Sequence, residues 1–166
     1  MAAPQPATQE PLSFSASISI IASPGRVLWA FFDAGALSSW WQAARSVTIP
    51  RIFGPYAVEW DPTDFRDDTL GRLGGTFHGT VVEFRPEREF FVADAFWLPP
   101  DGDPIGPMAL EVTCEAQRRQ NPQITLVTVT QRASESGERW RRYYEVIAPG
   151  WQRALESLKR YLERTE

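Results

Sequence analysis

The sequence predicts an α+β domain in which an antiparallel sheet carries helices on one face. Three observations predict it. Residues 13–20, "SFSASISI", alternate strictly between serine and apolar side chains, the period-2 mark of a half-buried strand. Four or five further strand-like segments follow between turn signals in residues 55–131, the pattern of a meander. The last thirty residues then carry Trp151, Leu155, Leu158 and Leu162 at helical spacing, an amphipathic stripe built to lie on another layer.

The elements follow in order. "MAAPQPATQEP" has neither a basic start nor an apolar segment, so no secretory signal is read. A short disordered leader is expected over residues 1–12, with a single domain over 13–166. In the first strand Phe14, Ala16, Ile18 and Ile20 share one face. Ser23 stands where a helix N-cap belongs and Pro24 where its first turn begins. Val27, Ala30 and Phe31 face one way and Leu28 and Phe32 widen that face, so this helix should pack on two sides. "ALSSWWQAA" (36–44) then sets two tryptophans side by side. Successive helical residues point about 100° apart, so one indole is expected in the core and the other at a rim.

Pro55 to Trp60 reads as a short strand, and residues 61–75 as a loop with Asp61, Asp64, Asp67 and Asp68 solvated. Thr76 to Arg85 reads as a strand with a bulge at Gly79. Strand parity puts His78 on one side with Thr80, Val82 and Phe84. Arg88 to Trp97 pairs back after the turn at Pro86-Glu87. Met108, Leu110, Val112, Cys114 and Ala116 should face inward on the next strand, and Val127 and Val129 on its neighbour. Trp140, Tyr144 and Ile147 begin the stripe of the C-terminal helix, with Arg139, Arg141 and Arg142 on its wet face.

Composition bounds the function. The chain has 166 residues, enough for one substantial core, with seven Trp and ten Phe. A net charge of −4 argues against a nucleic-acid partner. All but Lys159 of the 17 basic residues are arginines, spread along the chain; this is a coding bias, not a phosphate clamp. Cys114 is the only cysteine and His78 the only histidine, so no disulfide, cysteine cluster or multi-histidine zinc site is expected. The aspartates of the 61–68 segment lack the alternating ligands of a calcium loop. No cofactor or metal is therefore expected. No apolar run is long enough to span a bilayer, and a cytoplasmic setting is expected.

Four motifs in order carry a resemblance. "ASPGRVLWAFFDAGALSSWW" places Val27, Ala30, Asp33, Leu37, Trp40 and Trp41, followed by "GGTF", "GTVVEFRP" and "GWQRALESLKRYLE". Together these resemble the activator of heat-shock protein 90 ATPase homologue group of the START-like (SRPBCC, Bet v-type) superfamily, from about Ser17 to Glu163. Trp29 carries the aromatic that the group usually has at position 28, Ala34-Gly35 replaces a proline and a polar residue, and the 50–72 insert is longer and more acidic.

The resemblance implies a helix-grip fold: a curved antiparallel sheet wrapped around the C-terminal helix, with an internal hydrophobic cavity. It implies no reaction, since unrelated functions are grafted on this fold. The leading expectation is a small hydrophobic or aromatic ligand held by Phe77, Trp97, Met108, Leu110, Tyr144, Trp151 and Leu155, with Trp40 and Trp41 at the mouth and His78 nearby. The alternatives are a cyclase- or hydrolase-like enzyme using His78, Tyr144 and Glu83, and a chaperone-cofactor role in which only the C-terminal type of activator domain is present. An exposed Trp29 would mark a homodimer patch.

Overall fold

The computed structural model describes residues 12–164. The expected leader lies outside the described residues except for Leu12. That residue is tied down: its carbonyl accepts from the Ala133 N–H at 2.8 Å, and its side chain packs on the core. Strand β1 (Ser13–Ile20) buries Ala16 and Ile20 and turns its serines outward. Ser15 and Ser17 meet Thr130 and Thr128 across the sheet, hydroxyl to hydroxyl, at 2.8 and 2.9 Å.

The helical stretch that follows is two helices. Helix α1 (Pro24–Ala30) is capped by the Ser23 hydroxyl, which accepts from the Arg26 N–H at 3.2 Å. Helix α2 (Ala34–Trp40) is capped by Asp33, whose carboxylate accepts from the Ala36 N–H at 3.0 Å. The apolar run cannot stay in one cylinder because Asp33 competes for backbone N–H groups.

Strands β2 (Arg45–Thr48), β3 (Pro55–Trp60), β6 (Gly75–Arg85), β7 (Glu89–Leu98), β8 (Ile105–Arg118) and β9 (Ile124–Ala133) complete an antiparallel seven-stranded sheet in the order β1-β9-β8-β7-β6-β3-β2. Helices α1 and α2 thus carry the chain from one edge to the other, and the meander walks back. The 61–75 segment, expected as plain loop, forms a small hairpin of β4 (Arg66–Asp67) and β5 (Gly71–Arg72).

Among the bulges that bend the sheet, two lie between β6 and β7. The expected irregularity at Gly79 is there, but the extra residue sits on the partner strand, at Asp94 with φ 49°. Gly79 lies against it so closely that a Cβ would stand 2.6 Å from Val92 Cγ1 and 2.9 Å from the Ala93 oxygen. The second bulge is at Val82, between the pairs Val81–Val92 and Glu83–Phe91. It reverses parity, so Phe84 turns inward and meets the Phe32 ring at 5.5 Å instead of siding with His78. Bulges of this kind raise local twist and curvature.

The long helix α3 (Glu138–Arg164) lies across the concave face and buries Trp140, Tyr143, Tyr144, Trp151, Ala154, Leu155, Leu158 and Leu162. Its 27 residues run unbroken through Pro149. That proline is on the exposed side, where water can take the carbonyl it leaves unpaired. At its far end, Lys159 Nζ donates to the Ser19 carbonyl at 3.0 Å and Glu163 accepts from the Ile21 N–H at 3.1 Å. Cys114 faces inward on β8, and burial pushes its thiol pKa up to about 12. Five of the nine exposed large apolar side chains among the described residues belong to β2, the β2–β3 turn and the part of β6 beside that turn: Val47, Ile49, Ile52, Phe53 and Val82.

Candidate functional site

An apolar cleft of about 560 Å³ opens between the first half of α3 and one end of the sheet. Four elements supply its walls. Trp60 ends β3, Phe77 begins β6 and Trp97 ends β7, so three neighbouring strands each deliver an aromatic ring. The α3 wall is Tyr143, Ile147 and Trp151, and Trp41 closes the mouth beyond α2. Asp61, Thr63, Gln42 and Arg153 form the rim.

The twin tryptophans divide as follows. Trp40 is buried, and its indole donates to the Ala30 carbonyl at 2.9 Å. Trp41 leaves the helix with φ −112° and ψ 1°, which frees it from the 100° helical offset. The two rings therefore stack, 4.9 Å apart and 6° from parallel. Trp41 then meets Trp60 and Trp151 at centroid distances of 4.9 and 4.8 Å. Trp97 in turn stacks on Tyr143 at 5.0 Å.

Three of the four wall indoles spend their N–H inside the protein. Trp60 donates to the Trp41 carbonyl and Trp97 to the Gly74 carbonyl, both at 2.8 Å, and Trp151 donates to Gln131 Oε1 at 2.9 Å. Those rings offer the cleft carbon and π faces, without a polar edge. Gln131 is the exception in the floor: it is 2% exposed, in parity with Val127 and Val129 on β9. Its Nε2 donates to Met108 Sδ.

The sequence-predicted residues scatter around this cleft. Trp41, Phe77, Trp97 and Trp151 line it. Trp40 lies behind Trp41, and Met108 lies beneath Gln131. Leu110 and Leu155 are fully buried in the core and do not line the cleft. Tyr144 turns toward β1, its ring 5.7 Å from Phe14, and its buried hydroxyl has no protein partner. His78 is on the other face of the sheet, because strand alternation sends Phe77 and Val81 inward and His78 outward, against Phe96. It is also not at a sheet edge, since β6 lies between β3 and β7. Glu83 is exposed and paired with Arg85 at 3.2 Å. His78, Tyr144 and Glu83 thus share no cavity.

Trp60, Gln131, Tyr143 and Ile147 complete the cleft. Trp60 follows Tyr56 and Val58 in strand parity, and Gln131 follows Val127 and Val129, so both were open to discovery by counting in twos. Among the acidic segment, Asp67 is not solvated: it is 4% exposed and accepts from Arg142 Nε and Nη2 at 2.8 and 2.6 Å. It also accepts from the Thr69 and Leu70 N–H groups at 3.0 Å. The Arg142 hydrogen bonds hold its pKa below the usual carboxylate range, against the opposing pull of desolvation. Arg142, its side chain still 41% exposed, thus pins the β4–β5 hairpin beside the cleft.

A broader hollow of about 1070 Å³ lies at the start of α1, between the β6–β7 turn and the end of β8. Its walls are Glu87, Arg88, Glu115, Arg118 and other polar groups. Such wet, charged ground suits a small-molecule site less well than apolar walls with one polar spot.

The family of activator of Hsp90 ATPase homolog 1-like proteins matches residues 21–163. No curated protein matches the chain by sequence. Solved structures do match in fold. A Mesorhizobium loti protein is 17% identical with a TM-score of 0.68, covering 93% of this chain and 99% of its own. A Chromobacterium violaceum protein is 21% identical with a TM-score of 0.63, over 92% and 99%. The Aha1 dimer of Colwellia psychrerythraea, solved in solution, is 21% identical with a TM-score of 0.58, over 92% and 96%. Among the described residues no helix is long and apolar enough to cross a membrane.

Proposed function

Because the chain belongs to the family of activator of Hsp90 ATPase homolog 1-like proteins, we propose that it uses the cleft of that START-like fold to bind a small apolar or aromatic molecule in the cytoplasm. The observation that carries this reading is the cleft itself: about 560 Å³ faced by Trp41, Trp60, Phe77, Trp97, Tyr143 and Trp151. That volume falls in the usual range for small-molecule sites. Aromatic walls of this kind supply large apolar area with few rotatable bonds to immobilise.

The test is native mass spectrometry of freshly purified protein, followed by a thermal-shift screen of lipids and polyketide-like aromatics. A ligand present at a hundred times its Kd adds about 2.7 kcal/mol, which for a domain of this size is a Tm rise of about 5–10 °C. Trp41→Ala should shrink that rise. A screen in which no apolar compound moves Tm and no adduct is retained sinks the reading.

A second reading, association of two copies, is supported by the dimeric Colwellia psychrerythraea protein and by the exposed apolar side chains around the β2–β3 turn. Phe53 is the most exposed of them. It is 80% exposed and holds φ 67°, a conformation that costs a non-glycine residue about 1–2 kcal/mol. An exposed aromatic kept at such a cost fits a surface meant to be covered.

A further inference from the structure

The rim of the cleft carries a guanidinium that no described residue answers. Of the side chains facing the cleft, Arg153 is the only cation and Asp61 the only carboxylate. Arg153 stands on α3, two residues after Trp151, and is exposed. On the same helix Arg139 donates to the Asp103 carbonyl, Arg142 pairs with Asp67 and Glu145, and Lys159 pairs with Glu163. The Arg153 guanidinium makes no ion pair or hydrogen bond with any described residue. Arg141 and Arg160 are also unpaired, but neither faces the cleft. What sets Arg153 apart is where its charge lies. Its Nη2 is 3.9 Å from where a Cβ on Gly150 would stand, and Gly150 is itself part of the cleft wall. The side chain thus folds back along α3 toward the cleft and leaves Glu156, the ordinary helical partner three residues on, unused. Asp61 does not supply the missing charge, since its field falls on Arg45 of the neighbouring strand β2. Trp41 closes the same mouth, and its indole N–H finds no acceptor among the described residues, whereas those of Trp60, Trp97 and Trp151 are committed.

Resting on the ligand-binding reading above, we propose that Arg153 is a specificity-determining residue of the cleft and that the ligand is an amphipathic anion. Its apolar or aromatic body lodges among the rings, and one carboxylate-type group stays at the rim against Arg153. The committed indoles give that body carbon and π faces to pack on. The charged end stays at the rim, where it keeps much of its water and escapes the desolvation penalty of a buried ion. A guanidinium can take a carboxylate through two parallel hydrogen bonds, and the Trp41 N–H is a further donor available in the cleft.

The probes are 2-naphthoate and 2-naphthamide, bicyclic molecules of nearly one shape, of which only the first is charged at pH 7. Isothermal titration calorimetry at low salt reads the affinity of each. Arg153→Gln should weaken naphthoate about two- to five-fold, the worth of an ion pair with an exposed guanidinium. It should leave naphthamide unchanged. Arg153→Glu should weaken naphthoate further, and Arg153→Lys should restore part of the loss. Half-molar salt should narrow the difference between wild type and Arg153→Gln, because such a pair is screened. Trp41→Ala should weaken both probes. If Arg153→Gln leaves naphthoate unchanged or weakens both probes alike, or if wild type binds naphthamide but not naphthoate, the anion assignment is overturned while the cleft reading stands. If neither probe binds wild-type protein at its solubility limit, the cleft reading falls and takes the anion with it. Thermal melts of the Arg153 variants, which alter an exposed side chain, should match wild type and show that folded proteins are compared.

Discussion

Gly79 and Asp94 show how one residue shapes the site. The bulged Asp94 pushes β7 toward β6, and only a side chain of one hydrogen fits opposite. Gly79→Ala should therefore cost about 1–3 kcal/mol by overpacking, read as a Tm drop of several degrees in thermal denaturation. An unchanged Tm would mean that the two strands move apart freely. The glycine was legible in the sequence as a strand irregularity. Its partner was not, because pairing geometry, and not composition, decides which strand carries the extra residue. The same limit explains Phe84. Alternation counted from His78 sets it on the outer face, and the Val82 bulge turns it in. Trp60 and Gln131 needed no such knowledge. They follow the inward parity of their own strands.

At the scale of elements, the β4–β5 hairpin is joined to α3 by Asp67 and Arg142. The guanidinium hydrogen bonds lower the Asp67 pKa in the folded state. Its stabilising contribution is therefore fully present above the unfolded value of about 4 and is lost as pH falls through the lower folded value. Asp67→Asn should lower Tm by a few degrees at pH 7, and the gap from wild type should narrow at pH 2.5, below the unfolded value. A gap that stays constant between the two pH values would locate the effect in the Thr69 and Leu70 backbone contacts, not in the charge. Sequence reading grouped Asp67 with its solvated neighbours because charge density alone does not tell which carboxylate will find a guanidinium 75 residues away. The break between α1 and α2 was written more plainly. Asp33 is a good capping residue, and its place inside an apolar run was the sign.

For the whole molecule, the order of elements and the alternating strands were enough to read an antiparallel sheet with helices on one face. The grip itself came from the resemblance, since no periodicity states which way a sheet curves. Self-association belongs to this scale too. If the apolar side chains around the β2–β3 turn join two copies, wild-type protein should sediment as a dimer at tens of micromolar. Phe53→Lys, which places a charge in that apolar contact, should then give a monomer of similar Tm. Wild-type protein that remains a monomer up to a millimolar would dispose of the idea.

The pairing of the first strand with the last carries a consequence for synthesis. Ser15 meets Thr130 across 115 residues of chain. At about 5–20 residues per second, a ribosome needs roughly 6–23 seconds to deliver that partner. Through that interval the nascent strand must stay wetted and uncommitted, and its four serines, Ser13, Ser15, Ser17 and Ser19, give every second position to water until the sheet can close.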